Sequence, residues 1–134
     1  MVIDSMKQIE EIITDYLTEK EEIIFAYLHG SFLQRNDYKD IDIALYLNED
    51  KAGSIDKIDY GIACSVELEK KTGKTMDVRV LNGASLSFKY HASCGKLLFS
   101  KNEILREEFL CRTWTEYFDF QPIALRYLKE VLHG

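Results

Sequence analysis

Ile23-Ile24-Phe25-Ala26-Tyr27-Leu28-His29-Gly30-Ser31 and, beyond residues 32–39, Asp40-Ile41-Asp42-Ile43-Ala44-Leu45-Tyr46-Leu47 decide how this chain reads. The first stretch is a continuous apolar run, rich in β-branched and aromatic side chains. It has the length of a buried strand rather than of a helix, and Gly30-Ser31 ends it. The second alternates at its start and predicts a strand over 40–47. Two strands joined by a short loop, one closing on Gly-Ser and the next opening on Asp-x-Asp, set the frame for the rest.

Working outward, residues 5–19 predict a helix. Met6, Ile9, Ile12, Ile13, Tyr16 and Leu17 recur at three- and four-residue spacing, and Ser5 can cap it. After the second strand Asn48-Glu49-Asp50 reads as a turn. A helix is expected over 55–71, carrying Ile58, Ile62, Val66 and Leu68 towards the core, and Thr72-Gly73 closes it because glycine accepts the left-handed conformation of a C-cap. A third strand follows at 75–81, loop plus a short helix at 83–94, and a fourth strand at 96–100. Two last helices are expected, 103–117 and 122–132, with Pro122 in the first turn of the second. The order predicts an α/β sheet of about four strands covered by helices.

The 134 residues suit one domain, 1–134. An apolar fraction of 46% with one Pro and seven Gly points to a globular core and away from disorder. No apolar run is long enough for an ordinary membrane helix, and Met1-Val2-Ile3-Asp4-Ser5 lacks the basic-then-apolar text of a secretory signal. The formal net charge of −6 disfavours direct binding of duplex nucleic acid, which rests on Lys and Arg, but is compatible with an anionic ligand whose charge a metal ion offsets. Cys64, Cys94 and Cys111 form no CxxC pair, so buried reduced thiols in a cytoplasmic protein are expected rather than disulfides or structural zinc.

Asp40 and Asp42, at i and i+2 of a strand, point to one face while Ile41 and Ile43 point to the other. Two carboxylates about 6 Å apart repel by roughly 3 kcal/mol at an effective dielectric near 20. A hard divalent cation between them removes that cost; a solvated strand edge is the plainer alternative. Gly30 lets a phosphate approach the backbone, and Ser31 adds a donor, although a Gly-Ser pair alone is most often a turn. Asp77 alternates with Met76, Val78 and Val80, so it lies on the polar face of its strand. If that strand neighbours the Asp40 strand, three carboxylates converge and suit a divalent-metal site; otherwise Asp77 pairs with Arg79 or Lys74. Gly73-Lys74-Thr75 is not a P-loop end, because Leu68 stands where the earlier glycine belongs. His29, His91 and His133 show no ligand spacing, although His29 adjoins the Gly-Ser turn. Phe109, Trp114, Tyr117 and Phe118 fall near helical spacing and read as core, with any exposed remainder suited to a partner helix.

Taken together, Ala26-Tyr27-Leu28-His29-Gly30-Ser31-Phe32, Lys39-Asp40-Ile41-Asp42-Ile43 and Met76-Asp77-Val78 resemble the DNA polymerase β-like nucleotidyltransferase superfamily, and within it the minimal nucleotidyltransferase (MNT) branch. Tyr117-Phe118-Asp119-Phe120-Gln121-Pro122 also resembles the tail of that branch. The resemblance implies a mixed sheet with flanking helices, two Mg²⁺ ions and a nucleoside triphosphate, most plausibly ATP. It implies that Gly30 and Ser31 hold phosphate, that Asp40 and Asp42 bind metal, and that Asp77 binds metal and helps deprotonate an acceptor hydroxyl. It further implies AMP transfer onto a partner protein, a HEPN-family toxin whose antitoxin this chain would be. The stretch between Ser31 and Asp40 departs from the branch: it is shorter, Arg35 and Asn36 stand where a glycine is usual, and Lys39 precedes the first Asp. The alternative is therefore a protein of the same fold, weak or inactive in catalysis, that neutralises its partner by binding. An antibiotic-modifying transferase would need a second domain for its acceptor.

Overall fold

The computed structural model describes residues 6–30 and 40–133, the side chains at 120–129 and 131–133 excepted. The elements run α1 (Met6–Thr18), β1 (Ile23–His29), β2 (Asp40–Leu47), α2 (Glu49–Ala52), α3 (Lys57–Thr72), β3 (Thr75–Val80), α4 (Leu86–Ser93), β4 (Lys96–Ser100) and α5 (Glu103–His133). The four strands form one sheet in the order β3-β2-β1-β4. β1 is antiparallel to both β2 and β4, and β2 is parallel to β3, with α3 as the crossover. The expected α/β architecture, a mixed four-stranded sheet flanked by helices, is what forms.

Both faces of the sheet are covered, which is why β1 is apolar along nearly its whole length rather than alternating. On one face Ile9, Ile13 and Leu17 of α1 and Leu68 of α3 pack on Leu28, Ile41, Ile43 and Leu45. On the other, Phe25, Tyr27 and Ala44 pack with Ala92 of α4 and Phe109 of α5. Phe25 is fully buried there, its ring stacked on Tyr46 at 4.8 Å and tilted against Phe109 at 5.5 Å. Where β2 ends, Asn82 takes the place of a strand neighbour: its amide accepts from the Leu47 N–H at 2.8 Å and donates to the Leu47 carbonyl at 2.9 Å.

Five expectations change. The turn at Asn48-Glu49-Asp50 is a short helix, α2, because the Asn48 side chain accepts from the Asp50 N–H and caps it. The two final helices are one, α5, which continues through Pro122; a proline inside a helix forfeits one backbone hydrogen bond but does not forbid continuation. Only Cys64 is a buried thiol, while Cys94 and Cys111 are exposed, and all three are free.

Of Phe109, Trp114, Tyr117 and Phe118, read as core, only Phe109 is buried; Trp114 and Phe118 are exposed and, with Tyr117, gather around Tyr90 of α4. The fifth change concerns α3. Leu68 faces inward as expected, but Ile58, Ile62 and Val66 are 76%, 56% and 44% exposed. The buried stripe is instead Gly61, Cys64, Leu68 and Thr72. Gly61 sets this rotation. A Cβ there would stand 2.4 Å from the Val78 carbonyl oxygen, so the helix backbone approaches β3 as only glycine permits. At 3.6 residues per turn, Ile62 then lies about a quarter-turn from the buried stripe. The C-cap is as expected: Gly73 sits at φ 72° and its N–H returns to the Glu69 carbonyl.

α3 also closes the outer edge of β3. The Met76 N–H donates to Glu69 Oε1 at 3.2 Å and the Val78 N–H to Ser65 Oγ at 3.1 Å. Backbone groups that would otherwise invite another strand are thereby satisfied.

Candidate active site

The register of β2 and β3 brings two of the aspartates together. Asp42 is the partner of Asp77, and Asp40 that of Thr75. Side chains two apart on a strand share a face, so Asp40 and Asp42 lie on the same face as Ala44, the one that α4 and α5 cover further along. Asp40 is exposed at the start of β2; Asp42 and Asp77 are half-buried. On the other side of β2, His29 is the register partner of Asp42.

Gly30 turns the chain out of β1 at φ 80°, in the left-handed region. A Cβ at this position would stand 2.2 Å from Asp42 Oδ2. The glycine therefore serves two local needs, the turn itself and room for the Asp42 carboxylate. Ser31 lies outside the described residues, as does the Ser5 cap.

The electrostatics of the cluster follow from the facing carboxylates. Burial, then the charge of Asp77, pushes the Asp42 carboxyl above its usual range; Arg79 acts in the opposite direction and Asp40 adds to the rise. Arg79 reaches Asp77 with Nη2 3.2 Å from Oδ2 and Nε 3.4 Å from Oδ1. Its guanidinium lies 5.7 Å from the centre of the Phe88 ring, and Phe88 in turn meets the edge of His29 at 5.5 Å. Burial lowers the His29 imidazole below its usual value, opposed by Asp77. Its Nε2 has no hydrogen-bond partner among the described residues. Thus the structure realises the ion pair between Asp77 and Arg79, and at the same time places Asp77 opposite Asp42.

The raised Asp42 pKa has a definite sign. The folded state holds this proton more tightly than the unfolded state does, so the charged carboxylate lowers stability once pH exceeds the folded pKa, and the penalty fades below the unfolded value. Asp42→Asn is expected to leave metal-free stability at neutral pH unchanged or slightly raised, as read by urea unfolding. A loss above about 2 kcal/mol would instead make Asp42 a structural hydrogen-bond partner.

The donor set fits Mg²⁺. That ion takes hard oxygen ligands and is ordinarily held by one or two carboxylates together with substrate phosphates. Asp42 and Asp77 supply such oxygens, with Asp40 on the same face. Among the described residues no group of three or more His, Cys, Asp or Glu side chains forms a ready-made metal cage. The arrangement is a pair of facing carboxylates and not a closed cage among the described residues.

The family described as polymerase beta, nucleotidyltransferase, matches residues 11–104, a span holding Gly30, Asp40, Asp42 and Asp77. This chain belongs to the polymerase beta nucleotidyltransferase family. Among curated proteins none matches this nucleotidyltransferase-family chain. Solved structures do. The toxin–antitoxin MntA–HepT is similar at a TM-score of 0.69 and 21% identity, over 95% of this chain and 99% of that one. A complex of tri-AMPylated Shewanella oneidensis HEPN toxin with MNT antitoxin gives 0.70 and 22%, over 96% and 99%. A toxin–antitoxin with AMP-PNP gives 0.69 and 22%, over 92% and 98%. At these identities the likeness establishes the nucleotidyltransferase fold.

Sequence reasoning missed Phe88, which backs both His29 and Arg79, and missed the cleft that Asp77 lines. That cleft, about 460 Å³, is lined by Lys57, Ile58, Ile62, Asp77, Arg79 and Phe88 among others. Ser85, whose side chain accepts from the Phe88 N–H and caps α4, was a legible signal for the helix that carries Phe88. Among the described residues no helix is long and apolar enough to cross a membrane.

Proposed function

We propose that this chain transfers AMP from ATP to a hydroxyl on a partner protein, a HEPN-family toxin, and that the transfer depends on Mg²⁺. The observation that carries the reading is the facing of Asp42 and Asp77 across β2 and β3, beside the left-handed turn at Gly30. Support comes from proteins of the same fold: an MNT antitoxin stands in complex with a tri-AMPylated HEPN toxin, and a toxin–antitoxin carries AMP-PNP.

In this reading Gly30 and Ser31 hold the phosphates, Gly30 by leaving the backbone open to close approach. Asp40 and Asp42 would hold the cation. Asp77 would help hold the cation and would orient the acceptor hydroxyl as it loses its proton. Mg²⁺, when bound, supplies positive charge to the phosphates and lowers the pKa of the attacking hydroxyl. The hydroxyl oxygen forms a bond to the α-phosphorus, the bond to the leaving pyrophosphate breaks, and the hydroxyl proton passes to the Asp77 carboxylate. Arg79 neutralises Asp77 in the free protein and would have to release that carboxylate for a cation to bind there.

Mg²⁺ with a non-hydrolysable ATP analogue should raise the melting temperature, since only the folded state binds it. At ligand one hundredfold above Kd the gain is about 2.7 kcal/mol, several degrees for a domain of this size. The Asp40→Asn, Asp42→Asn double variant should show no gain. A second reading, neutralisation of the partner by binding alone, is favoured by the Asp77–Arg79 ion pair, which already satisfies one of the carboxylates. No shift in the unaltered protein at millimolar ligand would decide for it.

A further inference from the structure

We infer that the apolar stripe Ile58, Ile62 and Val66 on α3 is the surface on which the acceptor protein docks, an apolar segment of that protein lying along α3 with its hydroxyl delivered to Asp77. The inference rests on the proposed transfer to a partner protein and adds where that partner is held. Three observations carry it.

First, the stripe is apolar and exposed, and no core cluster among the described residues includes it. Gly61 turns it away from the sheet, so its exposure follows from a specific contact and not from a loose helix. Second, the stripe runs into the site. Ile58 and Ile62 form the wall of the cleft of about 460 Å³ that contains Asp77. Third, the stripe is longer than a small ligand needs. From position 58 to 66 is about 12 Å along a helix axis, and Val66 lies beyond the cleft lining. A nucleobase in the cleft would touch Ile58 and Ile62 and leave Val66 bare. A polypeptide segment presenting apolar side chains one helical turn apart covers all three.

Strand addition is not the mode of docking on this side. The outer N–H groups of Met76 and Val78 are already taken by Glu69 and Ser65. Contact is therefore made by side chains, as when an amphipathic helix lays its apolar face on another. Among the described residues the cleft lining carries one cation without an ion pair, Lys57, since Arg79 is paired with Asp77. An acidic side chain flanking the apolar segment would match Lys57.

The test uses the full chain and the protein encoded by the adjacent gene, purified unmodified. Ile62→Asp and Val66→Asp are compared with the unaltered chain for affinity to that protein, for KM and kcat of label transfer from ATP, and for affinity to Mg²⁺ with a non-hydrolysable ATP analogue. Both side chains are exposed, so equal melting temperatures are expected. The inference predicts that each variant weakens partner affinity and raises acceptor KM about tenfold or more. Nucleotide affinity should stay within about twofold, and for Val66→Asp so should kcat. Unchanged partner affinity and KM would overturn it. A loss of nucleotide affinity would overturn it too, giving the cleft to the nucleobase, as would a self-associated wild type that either variant dissociates without effect on the partner. If the unaltered chain binds the partner but transfers no label, the proposed chemistry fails, while the affinity comparison still decides the docking surface.

Discussion

Asp77→Asn is expected to keep most of the affinity for ATP with Mg²⁺ and to lose AMP transfer by at least roughly 10²-fold, a typical size for lost acid–base assistance. The split follows from position. Asp40 and Asp42 stand together at the start of β2, next to the Gly30 turn where phosphate is proposed to sit. Asp77 stands across on β3 and lines the cleft that Ile58 and Ile62 of α3 also line. Removing its charge leaves the β2 pair intact but deprives the acceptor hydroxyl of its carboxylate. Asp40→Asn should lose both affinity and transfer. Folding is not the confounding variable, because the Asp77–Arg79 pair is half-exposed and such pairs contribute little. The measurement is paired, calorimetry for the nucleotide and label transfer for the chemistry. Transfer at the unaltered rate in Asp77→Asn would return Asp77 to being a surface partner of Arg79.

Gly30→Ala should be costly in two separable ways. A non-glycine residue in the left-handed region loses roughly 1–2 kcal/mol of stability. The added methyl would also stand 2.2 Å from Asp42 Oδ2, so the carboxylate must swing aside. Displacing a group that positions a metal ligand typically costs about 10–100-fold in affinity. The expected result is a protein that folds, melts a few degrees lower, and binds ATP with Mg²⁺ about 10–100-fold more weakly. Asp42→Asn is the control. It removes the same carboxylate without backbone strain, so it should share the binding loss and not the stability loss. Gly30→Ala with unchanged nucleotide affinity would mean that Asp42 Oδ2 does not serve the site.

Much of the fold was legible because its signals are local. The strands at 40–47 and 96–100 emerge with those bounds, and Gly73 closes α3 as its left-handed C-cap. The face of α3 was not legible. Ile58, Ile62 and Val66 announce a stripe by hydropathy, whereas the buried stripe is built on Gly61, Cys64 and Thr72, whose value is small size and close approach. Apolar pattern reports what prefers to be buried, and backbone proximity decided what is. Pro122 shows a similar limit, since a preference for first turns does not forbid a place within a helix.

For the site, the sequence supplied the Asp-x-Asp pair and Asp77 on a polar strand face. It could not supply the adjacency of β2 and β3, which is a tertiary fact, so the facing of Asp42 and Asp77 had to come from the register. Nor did it mark Arg79 and Phe88 as parts of one cluster with His29, because their meeting depends on α4 folding back over the sheet. The roles of Gly30, Asp40, Asp42 and Asp77 in holding phosphate and metal remain proposals that the variants above decide.

The most direct measurement is the intact mass of the adjacent gene's protein after incubation with this chain, ATP and Mg²⁺. The account predicts a mass gain of one or more adenylyl groups, absent when Mg²⁺ is chelated and absent with the Asp40→Asn, Asp42→Asn chain. An unchanged mass, with the two proteins nevertheless forming a stable complex, would contradict it and leave a nucleotidyltransferase fold that acts by binding alone.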